Sequence, residues 1–97
     1  MSGLLTPATF EPHIGSEFSI AGDVDRRVVL DRVNRLASRS HGDRTEPFSM
    51  VFLGPSGDPL PQATYTVEHP DLGDIAIFLV PIGPDRAGRQ QYEAVFN

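Results

Sequence analysis

The sequence predicts an all-β protein: a small antiparallel barrel or sandwich of five or six strands, with room for one short helix. Nine glycines and nine prolines divide the 97 residues into short segments, and this spacing favours strands over helices. Four of the segments alternate apolar and polar residues or are apolar on both faces, as strands do. Connections of hairpin length require antiparallel pairing, because a parallel crossover needs about a dozen residues or more.

Two of these segments predict the centre of the sheet. Residues 48–53 (FSMVFL) carry apolar side chains on both faces, which is typical of a strand covered on both sides. Residues 75–80 (IAIFLV) do the same, and we expect them to form the most buried strand.

Two further segments, residues 63–69 and 90–96, alternate more cleanly and predict strands with one solvated face. Phenylalanine occurs once or twice in most segments, so we expect all six phenylalanines to face one core. The predicted core comprises Phe48, Phe52, Tyr65, Val67, Ile77, Leu79, Tyr92 and Phe96.

In the first third of the chain, the sequence pattern distinguishes less clearly between helix and strand. Residues 17–20 predict a short strand, and Thr6 followed by Pro7 predicts a short helical turn that reaches His13. Residues 26–38 are ambiguous, since their apolar residues recur at helical spacing while several are β-branched and two fit one face of a strand. Periodicity alone favours a helix there.

Length and charge restrict the function. The chain is long enough for one domain, residues 1–97, of which we expect the first nine to be flexible. Eight basic and 13 acidic residues give a net charge of −5, which disfavours nucleic acid and anionic membranes as partners. The longest apolar run has six residues, whereas a membrane-spanning helix needs about 20. With no secretory signal in residues 1–10, a cytoplasmic location is expected unless the protein leaves in an assembly.

His69 is the first candidate for chemistry, because Glu68, Asp71 and Asp74 lie close to it in the sequence. No known metal-ligand spacing is present, and Glu68 and His69 point to opposite faces of an extended chain. Residues 69–73 (HPDLG) instead have the composition of a turn. We therefore expect a turn there, and no metal or cofactor.

Other catalytic patterns are also missing. Asp71 and Asp74 come closest to a candidate pair of carboxylates for acid/base catalysis, but turns collect aspartate for backbone hydrogen bonds. The sequence has no GxSxG motif, and it has no lysine with which to build a phosphate-binding loop. His13 and His41 lie in loop-like surroundings without a partner in the sequence. We expect a protein that is not an enzyme.

Long stretches of the chain match a family pattern. The strings FSMVFLGP, PLPQATYTVEHPDLGDIAIFLVPIGPD and the final YEAVFN resemble those of an uncharacterised family of bacterial proteins of this length. Its members are often encoded beside proteins with a phage tail-collar domain. The resemblance implies a non-catalytic accessory or structural protein of a phage tail-like assembly, bound to a collar or fibre subunit. It also shifts residues 26–36 towards a strand.

A binding surface is predicted at Pro59, Leu60, Pro61 and Gln62, together with Glu68 and His69. Prolines around an exposed leucine give a contact point that loses little entropy on binding. An unclosed sheet would add free strand edges, to which a partner could pair, and Leu60→Asp should then weaken binding without unfolding the protein. Two alternatives stay open: Leu60 could instead fill the mouth of the barrel, and the barrel could bind a small molecule.

Overall fold

The structure, a computed structural model, describes residues 5–36 and 47–96, with only the backbone of residues 23–25. It is a closed antiparallel barrel of six strands with one short helix, so the predicted fold class is confirmed. The elements are helix α1 (Pro7–Phe10), a 3₁₀ turn (Glu11–His13), β1 (Glu17–Ile20), β2 (Asp23–Arg35), β3 (Phe48–Ser56), β4 (Ala63–His69), β5 (Gly73–Pro84) and β6 (Arg89–Phe96).

The strands follow one another around the barrel in the order β1-β2-β3-β6-β5-β4, and β4 returns to β1. The closing seam is short: Ser19 pairs with Glu68 and Ile20 with Val67, and the Ala21 amide donates to the Thr66 carbonyl at 2.8 Å. Closure removes, along this seam, the free strand edges that an unclosed sheet would have offered to a partner. Register shifts in β1, β2, β3 and β5 accompany the closure, since bulges increase the bend and twist of a sheet.

Residues 26–35 belong to strand β2, so the helix favoured by periodicity is wrong there. A bulge between Leu30 and Arg32 explains the misleading pattern. Val28 and Leu30 are buried before the bulge, and Val33 packs against the core after it. The extra residue changes which positions face inwards, and it thereby imitates the irregular spacing of a helix.

The most buried strand is β3 and not the segment 75–80. Every residue of β3 from Phe48 to Gly54 is buried, whereas β5 alternates between buried and exposed positions. Phe78 is 49% exposed, so the expectation that every phenylalanine lies in the core is also wrong. Both segments are apolar on two faces, but only the outer face of β3 is covered.

The core otherwise follows the prediction. Six of the eight predicted residues are buried, while Tyr65 and Phe96 are half-buried and pack against the core from its margin. The Phe48 and Phe96 rings stack at 4.7 Å, and Phe18 meets Phe52 edge to face at 5.4 Å. The buried core residues outside that set are Phe10, Phe18, Ile20, Val28, Leu30, Met50 and Ala94, of which Phe10 and Phe18 agree with the expectation that phenylalanines face the core.

The barrel has two different ends. The end that we call the turn end carries the connections 21–22, 57–62 and 85–88. The opposite end, the helix end, carries α1, the 3₁₀ turn, the turn 70–72 and the last residues of β6. The Phe10 ring lies 6.0 Å from Phe48 and 6.3 Å from Phe96 there, so the predicted short helix is confirmed and packs over this end of the core.

An ion pair between Glu11 and Arg35 links the helix end to β2. Arg35 donates from Nε to Glu11 Oε2 at 3.0 Å and from a terminal nitrogen to Oε1 at 2.9 Å. The hydrogen bond from Arg35 is the main reason why the pKa of Glu11 lies below its ordinary range. The ion pair therefore stabilises the folded protein fully when the pH is above the ordinary glutamate pKa. This stabilisation is lost as the pH falls through the lowered pKa of Glu11.

We expect the melting temperature of wild type to fall more steeply between pH 7 and pH 3 than that of Glu11→Gln. The amide of glutamine carries no charge, so the variant lacks the contribution that protonation removes. Thermal melts followed by circular dichroism at both pH values measure the difference. Parallel pH profiles for the two proteins would contradict a role for this ion pair.

Candidate functional site

The six predicted binding residues lie at two separate places. Pro59, Leu60, Pro61 and Gln62 belong to the turn end, whereas Glu68 and His69 close strand β4 at the other end. The seven residues of β4 span roughly 20 Å. One contact with a small ligand therefore cannot include all six residues.

Leu60 is held at the turn end by the barrel itself. Its side chain is half-buried against the core, and its amide donates to Tyr92 Oη at 2.9 Å. The Tyr65 hydroxyl donates to the Pro61 carbonyl at 2.5 Å. These contacts agree with the alternative in which Leu60 fills the barrel mouth. Leu60→Asp would therefore also weaken folding, and the exposed Gln62 offers a cleaner test of the loop.

The His69 side chain is buried against other rings and is not exposed at the surface. It is 7% exposed, and its ring lies 4.7 Å from the rings of both Phe18 and His13. The predicted turn follows it at residues 70–72 and ends at Gly73, whose φ of 77° is one that glycine adopts without strain. Glu68, the preceding residue, is exposed, as the alternation along β4 predicts.

The fold brings together His13, His69 and Asp71, whose possible ligand atoms lie within 4.8 Å of one another. Sequence reasoning missed this cluster, because His13 is 56 positions away and only the 3₁₀ turn brings it over the end of β4. His41, the third histidine, lies outside the described residues. Two imidazoles and a carboxylate are donors that zinc accepts.

The hydrogen bonding of His69 nevertheless fits a metal poorly. The Asp71 amide donates to His69 Nδ1 at 3.0 Å, so the neutral ring carries its proton on Nε2. Neither nitrogen is then a free ligand: Nδ1 is occupied by the amide, and Nε2 is protonated. The arrangement instead holds the turn between β4 and β5 in place.

The strongest surface feature is an apolar stripe that the sequence analysis did not identify. Phe78 and Ile82 of β5 are 49% and 44% exposed, and Val95 of β6 is 52% exposed. Val80 pairs with Glu93, so Phe78 and Val95, each two positions away, face the same outer side. We call Phe78, Val80, Ile82 and Val95 the outer stripe. The sequence feature that could have indicated this stripe is the second apolar face of residues 75–80.

Strand β5 lies between β4 and β6 in the barrel, and its two ladders are staggered along the strand. Residues 73–79 pair with β4, and the ladder with β6 begins only at Val80 and Glu93. Residues 94–96 of β6 pair with β3.

A cavity of about 460 Å³ lies between the N-terminal segment and the start of β5. Its apolar wall includes Leu5, Leu72 and Ile75, and the exposed Asp71 and Asp74 also line it. A second cavity, of about 520 Å³, lies beside β1 and β4 and includes Glu17, Arg27 and Glu68. Both open to solvent and lie outside the barrel core.

Comparison with known proteins identifies the family but no activity. The profile of a family described as a domain of unknown function, DUF6916, matches residues 5–96. This agrees with the resemblance to an uncharacterised family. No curated protein and no solved structure matches the chain.

Proposed function

The chain belongs to the DUF6916 family, whose function is unknown, and we propose that it is a non-catalytic accessory or structural protein that binds another protein. The observation that supports this proposal is the outer stripe. A cluster of apolar side chains on a protein surface often marks an interaction site, whereas a single exposed apolar side chain does not. An aromatic residue such as Phe78 offers a large apolar contact area to a partner.

The binding loop predicted from the sequence, residues 59–62, lies beside the outer stripe. Ala63 at the start of β4 pairs with Leu79, so Gln62, which immediately precedes β4, lies close to Val80 of the stripe. Pro59, Pro61 and Gln62 are exposed there. An apolar centre with a polar and conformationally restricted rim is the usual anatomy of a protein interface. Glu68 and His69 lie at the far end of β4 and are not part of this surface.

A small-molecule binding barrel is the alternative, and the packing of the core weighs against an enclosed ligand. Large side chains fill the interior, among them Tyr92, Phe18 and Phe52. A Cβ atom built on Gly54 would lie 3.0 Å from the Tyr92 ring, which shows how little space remains there. Barrels that enclose a ligand typically have about eight strands, and this one has six.

The resemblance to proteins encoded beside tail-collar domain proteins points to the partner. We propose a collar or fibre-type subunit, and a location in the cytoplasm or in a phage tail-like assembly. Within the described residues, no helix is long and apolar enough to cross a membrane. The net charge of −5 favours a partner whose contact surface is neutral or basic.

The test is capture of the purified tail-collar domain protein encoded nearest to this gene. We expect wild type to bind it and Phe78→Lys to bind at least tenfold more weakly, about 1.4 kcal/mol, because the charge replaces a central apolar contact. Ile14→Lys is the matched control, since Ile14 is 48% exposed and lies outside the stripe. Circular dichroism melts confirm that both variants are folded.

Two outcomes would contradict the proposal in different ways. Failure of folded wild type to bind would reject the partner. Equal weakening by Phe78→Lys and Ile14→Lys, or none by either, would reject the outer stripe as the surface that binds.

A further inference from the structure

We propose that the protein bound to the outer stripe presents an apolar patch bordered by arginine or lysine side chains, which pair with carboxylates beside the stripe. This proposal rests on the proposed function, since it names the chemistry of the partner's contact surface. Its basis is the set of charges that share the outer side of β4, β5 and β6 with the stripe.

The outer stripe lies on a face that three strands share. Along β5, exposed and less exposed residues alternate from Asp74 to Phe78, so both of these side chains point outwards. The exposed residues of β4 lie opposite them, with Glu68 across from Asp74. On β6, Glu93 lies across from Val80 on the same outer side. These outward residues form one continuous surface around the stripe.

The charged side chains of this surface are the acidic Glu68, Asp74 and Glu93. Among the described residues, no arginine forms an ion pair with any of these three carboxylates. Glu68 and Asp74 lie directly opposite each other, and like charges in that position destabilise a sheet. A cation supplied by a partner removes this repulsion.

The arginines of the described residues lie elsewhere. Strands β4 and β5 contain none. Arg86 and Arg89 lie in the hairpin at the turn end, where Arg89 pairs with Asp85 at 2.9 Å. The others belong to β2, which is opposite β5 in the ring of six strands: Arg26, Arg27, Arg32 and Arg35. The face around the stripe is therefore negative, and it favours a basic partner.

The positions of the carboxylates define where the partner's cations lie. Glu93 is the cross-strand neighbour of Val80, and the Cβ atoms of such neighbours are about 4.5–5.5 Å apart. One basic side chain therefore lies directly beside the partner's apolar patch. Asp74 is four residues from Phe78 along β5, which places a second basic side chain roughly 13 Å from the one that covers Phe78.

A second copy of this chain fits the face poorly. A twofold dimer uses the same patch on both subunits. It would therefore bring the Glu68, Asp74 and Glu93 carboxylates of two copies into one contact, and juxtaposed like charges disfavour such a pairing. The occupant that this face favours is a different protein with the opposite charge.

Salt and neutral substitutions test the carboxylates with the collar-type protein as partner. We expect its binding to wild type to weaken at least fivefold between about 50 mM and about 500 mM salt, because salt screens exposed charges. The double variant Asp74→Asn, Glu93→Gln should bind at least threefold more weakly than wild type at the lower concentration. At the higher concentration the two should bind within about twofold of each other.

The matched control is Glu17→Gln combined with Asp31→Asn. It removes the same two negative charges from exposed positions on β1 and β2, away from the stripe. Its binding should equal that of wild type at both salt concentrations. Equal weakening by the control and by the double variant would mean that only the net charge matters, and it would overturn the proposal.

Two synthetic peptides test the charge of the occupant without the collar-type protein. Both are end-blocked amphipathic helices with the same leucines on one face, and the other face carries arginine in one peptide and glutamate in the other. We expect the arginine peptide to shift the NMR signals of Phe78, Val80 and Val95, and not those of the exposed Ile14 outside the stripe. The glutamate peptide should bind at least tenfold more weakly.

Equal binding of the two peptides, or binding of neither, would overturn the proposal. So would sedimentation of the free protein as a dimer that Phe78→Lys abolishes, because a second copy would then cover the face. If capture of the collar-type protein is lost in Phe78→Lys but ignores salt and the double variant, the proposed function stands and the basic rim falls. If wild type captures nothing, the proposed partner falls, and the peptides still decide the charge of the occupant.

Discussion

Removal of residues 94–97 is expected to unfold the protein. The deletion takes away the ring of Phe96, which stacks on Phe48 at 4.7 Å, and the buried Ala94. It also removes the pairing of β6 with the first three residues of β3, the most buried strand. Loss of one packed phenylalanine costs about 3–5 kcal/mol, and a small domain is stable by only about 5–15 kcal/mol.

Far-ultraviolet circular dichroism and a thermal melt measure this effect. Val95→Ser is the control: Val95 lies in the deleted segment but is 52% exposed, so its replacement should leave the melt nearly unchanged. A truncated protein that kept the strand spectrum and a cooperative melt would show that β6 is dispensable beyond Glu93.

Phe10→Ala is the point substitution with the largest expected effect. Phe10 is fully buried at the helix end and lies within 6.3 Å of the Phe48 and Phe96 ring centroids. Its truncation leaves a cavity that the rigid ends of β3 and β6 cannot fill. We expect a loss of about 3–5 kcal/mol and a fall in melting temperature of more than about 12 °C.

The matched control is Ile14→Ala, because Ile14 follows the same helical segment but is 48% exposed. Its effect should stay within about 0.5 kcal/mol. A similar melting temperature for Phe10→Ala and Ile14→Ala would mean that α1 is not part of the cooperative core. Urea titration of both variants gives the free energies directly.

The strands themselves could be predicted from the sequence because their signal is local. Residues 48–53, 63–69, 75–80 and 90–96 all lie within observed strands, and residues 17–20 coincide with β1. Alternation with a period of two requires only the neighbouring residues, and the glycines and prolines mark where each strand ends.

The structure of residues 26–35 could not be predicted in the same way. A bulge between Leu30 and Arg32 shifts the inward positions of β2 by one residue. The position of a bulge depends on the strand that pairs beside it, and β3 lies beyond a long connection. Local periodicity therefore suggested a helix.

Burial of a strand that is apolar on both faces also depends on its neighbours. β3 and β5 look alike in the sequence, yet Val51 on the outer face of β3 is 2% exposed and Phe78 on the outer face of β5 is 49% exposed. Each of the two strands has a neighbour on both sides, β2 and β6 for β3 and β4 and β6 for β5, so the difference lies in what packs on the outer face and not in strand pairing. The sequence shows that both faces of these strands are apolar, but it does not show which face is covered by other residues.

The sequence by itself determined five of the six strands, the turn at residues 70–72 and the short helix, because each depends on the conformational preferences of adjacent residues. Only the tertiary structure decided that the barrel closes, that His13 meets His69, and that the outer face of β5 is exposed while that of β3 is covered. These features depend on which distant strands pair and in which register. That choice is made by the packing of the whole core, which no local pattern contains.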